Sequence, residues 1–121
     1  MSWQFNNTEP VFLQIVHRLR NGILQGKYPP GEQFPTVRQL ASEAGVNPNT
    51  MQKALTVLEE EGLLCGKGTV GRFVTEDRSA LSAAADVARR KAVRKWLSEA
   101  SALGISAAQL IDYIQKEEDK G

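Results

Sequence analysis

The sequence is poor in the residues that build reactive or cross-linked sites, with one cysteine and one histidine. Cys65 therefore has no partner for an intrachain disulfide, and no Cys/His spacing suited to a metal can be written. No run of about 18 apolar residues occurs and no basic-apolar-small leader opens the chain, so no membrane partner is expected and a reducing cytoplasm is the expected location. There is no glycine-rich phosphate loop ahead of a helix and no nucleophile beside a base, which leaves no catalytic residue, no cofactor and no metal site to assign. His17 reads as a partly buried structural histidine, and Cys65 as a small apolar side chain on a strand. Enzymatic activity is not expected.

What is present suits one folded domain, or one domain with a short appendage: 121 residues, 41% of them hydrophobic and 24% charged. The net charge of +1 shows none of the basic excess that phosphate binding usually leaves on a composition. Its distribution says more. Through Thr75 seven basic residues (Arg18, Arg20, Lys27, Arg38, Lys53, Lys67, Arg72) meet six acids, and three of those acids form the single run Glu59, Glu60 and Glu61. That run lies a full helix length from a polar cluster, so the two ends of one helix can face different partners.

Trp3 and Phe5 precede Thr8, which is placed to cap a helix with Glu9 and Pro10 in its first turn. Phe12, Ile15, Val16, Leu19 and Ile23 follow helical spacing up to a Gly26 stop. "KYPPGEQFP" then forces a turn and a short extended piece. "TVRQLASEAG" predicts a second helix, with a Thr36 to Gln39 capping box and Gly45 as its end. Only Val46 and Asn47 separate that stop from Pro48, with Asn47 the cap of a third helix and Pro48 its first residue. Two short helices joined by a tight glycine-containing turn make a helix-turn-helix. Met51, Ala54, Leu55 and Leu58 form the inward stripe of its second helix, about 48–61, and Asn49, Gln52 and Lys53 are left outward near the start. "LLCGKGTVGRFVT", about 63–75, has the pattern of a β-hairpin. The expected fold is mainly α with a small β wing: a winged helix-turn-helix over residues 1–76 followed by a two-helix tail over 77–121. In that tail Gly104 interrupts alanine-rich helix formers, and "SAAQ" opens a last helix.

Polar residues at the start of the second helix of such a motif suit the major groove of DNA, where amides and short hydroxyls pair with base edges and phosphates. Asn47 and Thr50 serve equally as helix caps, and both roles are compatible. Arg38 stands where the preceding helix crosses a phosphate backbone. In the hairpin, Gly66, Gly68 and Gly71 permit tight turning or close approach, while Lys67 and Arg72 supply charge. In the tail, Leu81, Ala85, Ala88, Ala92, Trp96 and Leu103 line one helical face, and Arg89, Arg90, Lys91, Arg94 and Lys95 read as its wet side. That stripe, with Leu110, Ile111 and Ile114, predicts a homodimer interface, although Trp96 fits equally against the last helix of its own protomer.

These motifs in order resemble the GntR group of bacterial winged-helix repressors and, within it, the short YtrA-type branch. The resemblance runs through "PVFLQIVHRLRNGILQGKYPPGEQFPTVRQLASEAGVNPNTMQKAL", the "EEEGLL" helix end and "GRFVTED". It implies that Arg38, Asn47, Asn49, Thr50, Gln52, Lys53, Lys67, Gly71 and Arg72 touch double-stranded operator DNA, and that the tail is a helical dimerisation element. It also implies control of the protein's own operon and adjacent transporter genes. Pro48 and Gln52 stand where the wider family often carries arginines. Gly68 and Thr69 replace a common Arg-Gly pair, which directs the expected wing contact to Lys67. If Arg38, Lys53, Lys67 and Arg72 all meet phosphates, a dimer neutralises about eight, for a log-log salt slope of roughly −7. Two rivals stay open: a winged helix that binds another protein, and the same repressor with a small-molecule effector held by the tail around Trp96 and Tyr113.

Overall fold

The computed structural model describes residues 2–120. Its elements are α1 (Val11–Leu24), α2 (Val37–Ala44), α3 (Pro48–Glu60), β1 (Leu64–Gly66), a 3-10 turn (Gly68–Val70), β2 (Arg72–Val74), α4 (Arg78–Ala102) and α5 (Ala107–Lys120). The chain divides into two compact units, with the division inside α4 between residues 83 and 84.

In the first unit α3 is the central helix, packed by both α1 and α2. Ile15, Val16 and Leu19 of α1, Leu40 of α2, Met51, Leu55 and Leu58 of α3, and Leu63 beyond it are almost completely removed from water. Their spacing along each helix puts them on one side, and burial of that side is the main stabilising term. The expected α2 capping box is present: Gln39 N–H donates to Thr36 Oγ1 at 3.1 Å, and Thr36 N–H donates to Gln39 Oε1 at 2.9 Å. Gly45 adopts φ +74°, which lets its own N–H and that of Val46 both reach Ala41 O and close the helix. Two residues later Asn47 Oδ1 accepts from Asn49 N–H at 2.7 Å, with Pro48 in the first helical position.

The start of α1 differs from the expectation. The helix begins at Val11, and Pro10, in extended conformation, occupies the cap position without a side-chain hydrogen bond. Thr8 bonds instead to Asn6. Proline disfavours helical geometry in the residue before it, so Glu9 cannot open the helix. The Gln14 amide secures the entry, donating to Asn6 O at 2.9 Å and Glu9 O at 2.8 Å.

The hairpin is antiparallel, with Leu64 opposite Val74, Cys65 opposite Phe73 and Gly66 opposite Arg72. Alternation turns Leu64 inward and Cys65 out, so the cysteine is exposed rather than packed as an apolar side chain. The extended piece before α2 joins the wing as a third segment: Phe34 N–H donates to Arg72 O at 2.8 Å and Val74 N–H to Glu32 O at 2.9 Å. At the other end of the unit, residues 2–5 form an arm. Trp3 N–H donates to Ala44 O at 3.2 Å, and the buried Trp3 ring carries the Arg18 guanidinium at 4.1 Å.

Asp77 Oδ1 accepts from Ser79 and Ala80 N–H and so opens α4. In the second unit the link to α5 turns at Gly104, and the expected box is formed by Ser106 and Gln109. Ala85 and Ala100 are its buried apolar residues, whereas Trp96, Leu97, Leu103, Ile111, Tyr113 and Ile114 stay exposed.

Candidate nucleic-acid interface

Burial of Met51, Ala54, Leu55 and Leu58 fixes the rotation of α3 and leaves Asn49, Gln52 and Lys53 exposed on its opposite side. Asn47 is exposed but spends its amide oxygen on the Asn49 N–H, while Thr50 is half-buried. Arg38 is exposed on the first turn of α2. Lys53 is less free than a surface lysine, because its Nζ lies 3.9 Å from the centre of the Phe12 ring. Val11, Phe12, Asn49, Thr50 and Lys53 line a shallow depression, so the start of α1 borders the start of α3. Neither Val11 nor Phe12 is a site residue in the sequence reading, where Phe12 belongs to the apolar stripe of α1; Val11 is exposed.

On the wing, Lys67 Nζ stands 4.6 Å over the Phe73 ring. Gly68 (φ +59°) and Gly71 (φ +114°) hold left-handed conformations that permit the tip, and a β-carbon at Gly71 would come within 3.1 Å of the Gln33 amide nitrogen. Arg72 is half-buried and its Nε donates to Glu59 Oε1 at the end of α3. Glu61 is taken by Arg20 of α1, in a two-pronged pair at 2.9 and 2.5 Å. Two carboxylates of the acidic run are thus internal partners of arginines, which explains their distance from the polar start of the helix. Among the described residues no ion pair engages Arg38, Lys53 or Lys67. These three cations therefore keep their positive charge although the net charge is close to zero.

His17 is half-buried between Glu9 (3.5 Å) and Arg20 (3.1 Å). Among the described residues no cluster of His, Cys, Asp and Glu could hold a metal, and no helix is long and apolar enough to cross a membrane. Of the residues expected at a tail interface, Ala85 is buried, Leu81, Ala88, Ala92 and Leu110 are half-buried, and Trp96, Ile111 and Ile114 are exposed. Trp96, Leu110 and Ile114, with Ala100, Leu103, Ile105 and Glu99, line an open apolar groove of the second unit.

A helix, a helix-turn-helix and a two-stranded wing, with polar side chains on the free side of the second motif helix, define a winged helix-turn-helix DNA-binding protein. Residues 12–74 match the model of the bacterial regulatory proteins of the gntR family, and the chain belongs to that family of transcription regulators. It is similar to the HTH-type transcriptional repressor YtrA of Bacillus subtilis, 28% identical over 114 residues that span 91% of this chain and 85% of YtrA. Among solved structures, a GntR family transcriptional regulator from Listeria monocytogenes superposes with a TM-score of 0.87 at 31% identity, covering 93% of this chain and 98% of that one. AraR(DBD), solved in complex with operator ORX1, matches 60% of this chain and 93% of its own, with a TM-score of 0.56 at 30% identity. The family and these relatives are regulators rather than enzymes.

Proposed function

We propose that the protein is a homodimeric transcription repressor that binds a pseudo-palindromic operator through the start of α3 and the wing. The observation that carries this reading is the two-sided character of α3: its apolar side is spent on the core, while Asn49, Gln52 and Lys53 stand exposed, and among the described residues neither Lys53 nor the exposed Arg38 of α2 is taken by an ion pair. In this reading Asn49 and Gln52 meet base edges, where amides pair best with adenine. Arg38, Lys53 and Lys67 neutralise phosphates, Asn47 and Thr50 combine capping with contact, and Gly71 lets the wing backbone approach the duplex closely. The similarity to a repressor and to an operator-bound domain supports it. So does the tail, residues 77–121, whose exposed apolar side chains suit cover by a second copy. Control of its own operon and of adjacent transporter genes, in the cytoplasm, follows from the branch it resembles.

Selection from a randomised duplex pool at physiological salt, with wild type and Gln52→Ala in parallel, tests the proposal. A two-fold symmetric site that relaxes at defined positions in the variant is the expected result. Enrichment of nothing symmetric, or a variant identical to wild type, would favour a protein-interaction module instead. The groove around Trp96 supports a second reading in which the same repressor takes a small apolar effector there, and quenching of Trp96 fluorescence by such a ligand would establish it.

A further inference from the structure

An acidic side chain beside a DNA-binding surface repels phosphate, so a carboxylate at the end of the reading helix needs a reason. Glu59 has one in its surroundings. Its carboxylate accepts from Arg72 Nε, and the two side chains are only partly open to water. Arg72 sits on β2 directly opposite Gly66 of β1. A β-carbon at Gly66 would lie 3.3 Å from Glu59 Oε2, so the bare backbone there leaves the carboxylate its passage to the arginine. The wing is held at its tip too: Gln33 Nε2 donates to Val70 O at 2.7 Å, next to Gly71 with its positive φ. Two side chains from two different elements therefore grip the wing.

We propose that Glu59 is a positioning residue for DNA binding: by holding the Arg72 guanidinium across Gly66 it sets the wing against the reading helix, and leaves Lys67 as the wing's phosphate contact. The inference rests on the proposed DNA-binding function. Giving Arg72 to a phosphate would strand the Glu59 carboxylate, half-buried and unpaired, in the negative field of the duplex. That is the arrangement a paired charge avoids. The phosphate contacts per protomer then reduce to Arg38, Lys53 and Lys67, six per dimer, for a log-log salt slope of about −5 rather than about −7.

The test is a cycle of Glu59→Gln and Lys67→Ala in the full-length protein, with affinity for the selected operator measured as a function of salt. Removing an acid that only repels DNA strengthens binding. Removing a positioning acid weakens it, here by roughly tenfold, within the range of coupling for residues that share a network. Lys67→Ala in the wild-type background is expected to flatten the dimer's salt slope by about 2. In the Glu59→Gln background it should flatten the slope by less than about 1, because the misplaced wing no longer delivers the lysine. A general loss of folded protein lowers the active fraction and leaves the Lys67 effect intact, so the slope separates positioning from mere stability. Glu59→Gln binding as tightly as wild type or tighter, or a Lys67 effect of full size in both backgrounds, would overturn the inference while the DNA-binding function stands. A wild type that selects no duplex overturns both.

Discussion

The two units spend their apolar residues in opposite ways. In the first, Leu55 is 0% exposed and the stripes of three helices close on one another. In the second, Trp96 is 55% and Leu103 82% exposed, although α5 is as amphipathic by pattern as α1. A single chain thus completes one core and leaves the other open. Alanines that permit close helix approach bury little area by themselves, so about 38 residues in two helices hold almost no interior of their own. The first unit closes its apolar residues into a core, and the second leaves most of its own exposed.

The largest expected effect attacks the open surface. The pair Ile111→Asp and Ile114→Asp should convert a dimer to a monomer in sedimentation. It should also weaken operator binding on the order of 100-fold, since linking two reading heads multiplies affinity without new contacts. Melting of the first unit should be left where it was. A variant that stays dimeric would place the interface elsewhere and remove the contrast between the units.

Core substitutions sharpen the same contrast. Leu55→Ala, at a fully buried site, should cost about 2–5 kcal/mol in urea unfolding, and Trp3→Ala about 3 kcal/mol by releasing the arm from α2. Leu103→Ala should change the stability of the first unit by no more than about 0.5 kcal/mol despite equal chemistry, because its side chain takes no part in that unit's core. The capping boxes offer a smaller, matched comparison. Thr36→Ala should lower the stability of the first unit by about 1 kcal/mol, whereas Ser106→Ala should leave its melting unchanged and lower only tail helicity in circular dichroism.

Most of the fold was legible in the sequence because its signals are local. Thr36, Gly45, Asn47 and Pro48 each act on the backbone within four residues, and they bound α2 and α3 as expected. The inward stripe of α3 follows from periodicity alone. The misses are long-range or competitive. Thr8 has the chemistry of a cap but is overruled by Pro10 two residues on. The arm places Trp3 on Ala44, some 40 residues away, and Glu32–Phe34 pairs with a strand of similar separation, so neither partner can be read from spacing. The same holds for the acidic run. As a charge pattern it reads as a helix end that can face a different partner from the polar start, and only the fold brings Arg20 to Glu61 and Arg72 to Glu59. For the candidate site, the outward residues of α3 follow from helical phase, while the Phe12 platform under Lys53 needed the tertiary packing of α1 on α3.

The smallest expected effect probes the closed unit from its edge, at Tyr28. Its ring lies against Phe34, with centroids 4.7 Å apart, and over Gly22, where a β-carbon would come within 2.7 Å of it. Burial there pushes the phenol above its ordinary value of 10.0, the Glu43 charge adds to the shift, and the Arg18 charge opposes it. The folded state therefore holds the Tyr28 proton more tightly than the unfolded chain does. Its contribution is fully present below the unfolded pKa and is lost as pH rises through the folded one. Urea unfolding at about pH 9 and about pH 11 should accordingly show wild type losing more stability across that step than Tyr28→Phe, which has no phenol to ionise. Equal losses would mean that the ring meets water freely on ionisation, and that the first unit is less completely closed at this edge than the packing of Tyr28 on Phe34 and Gly22 requires.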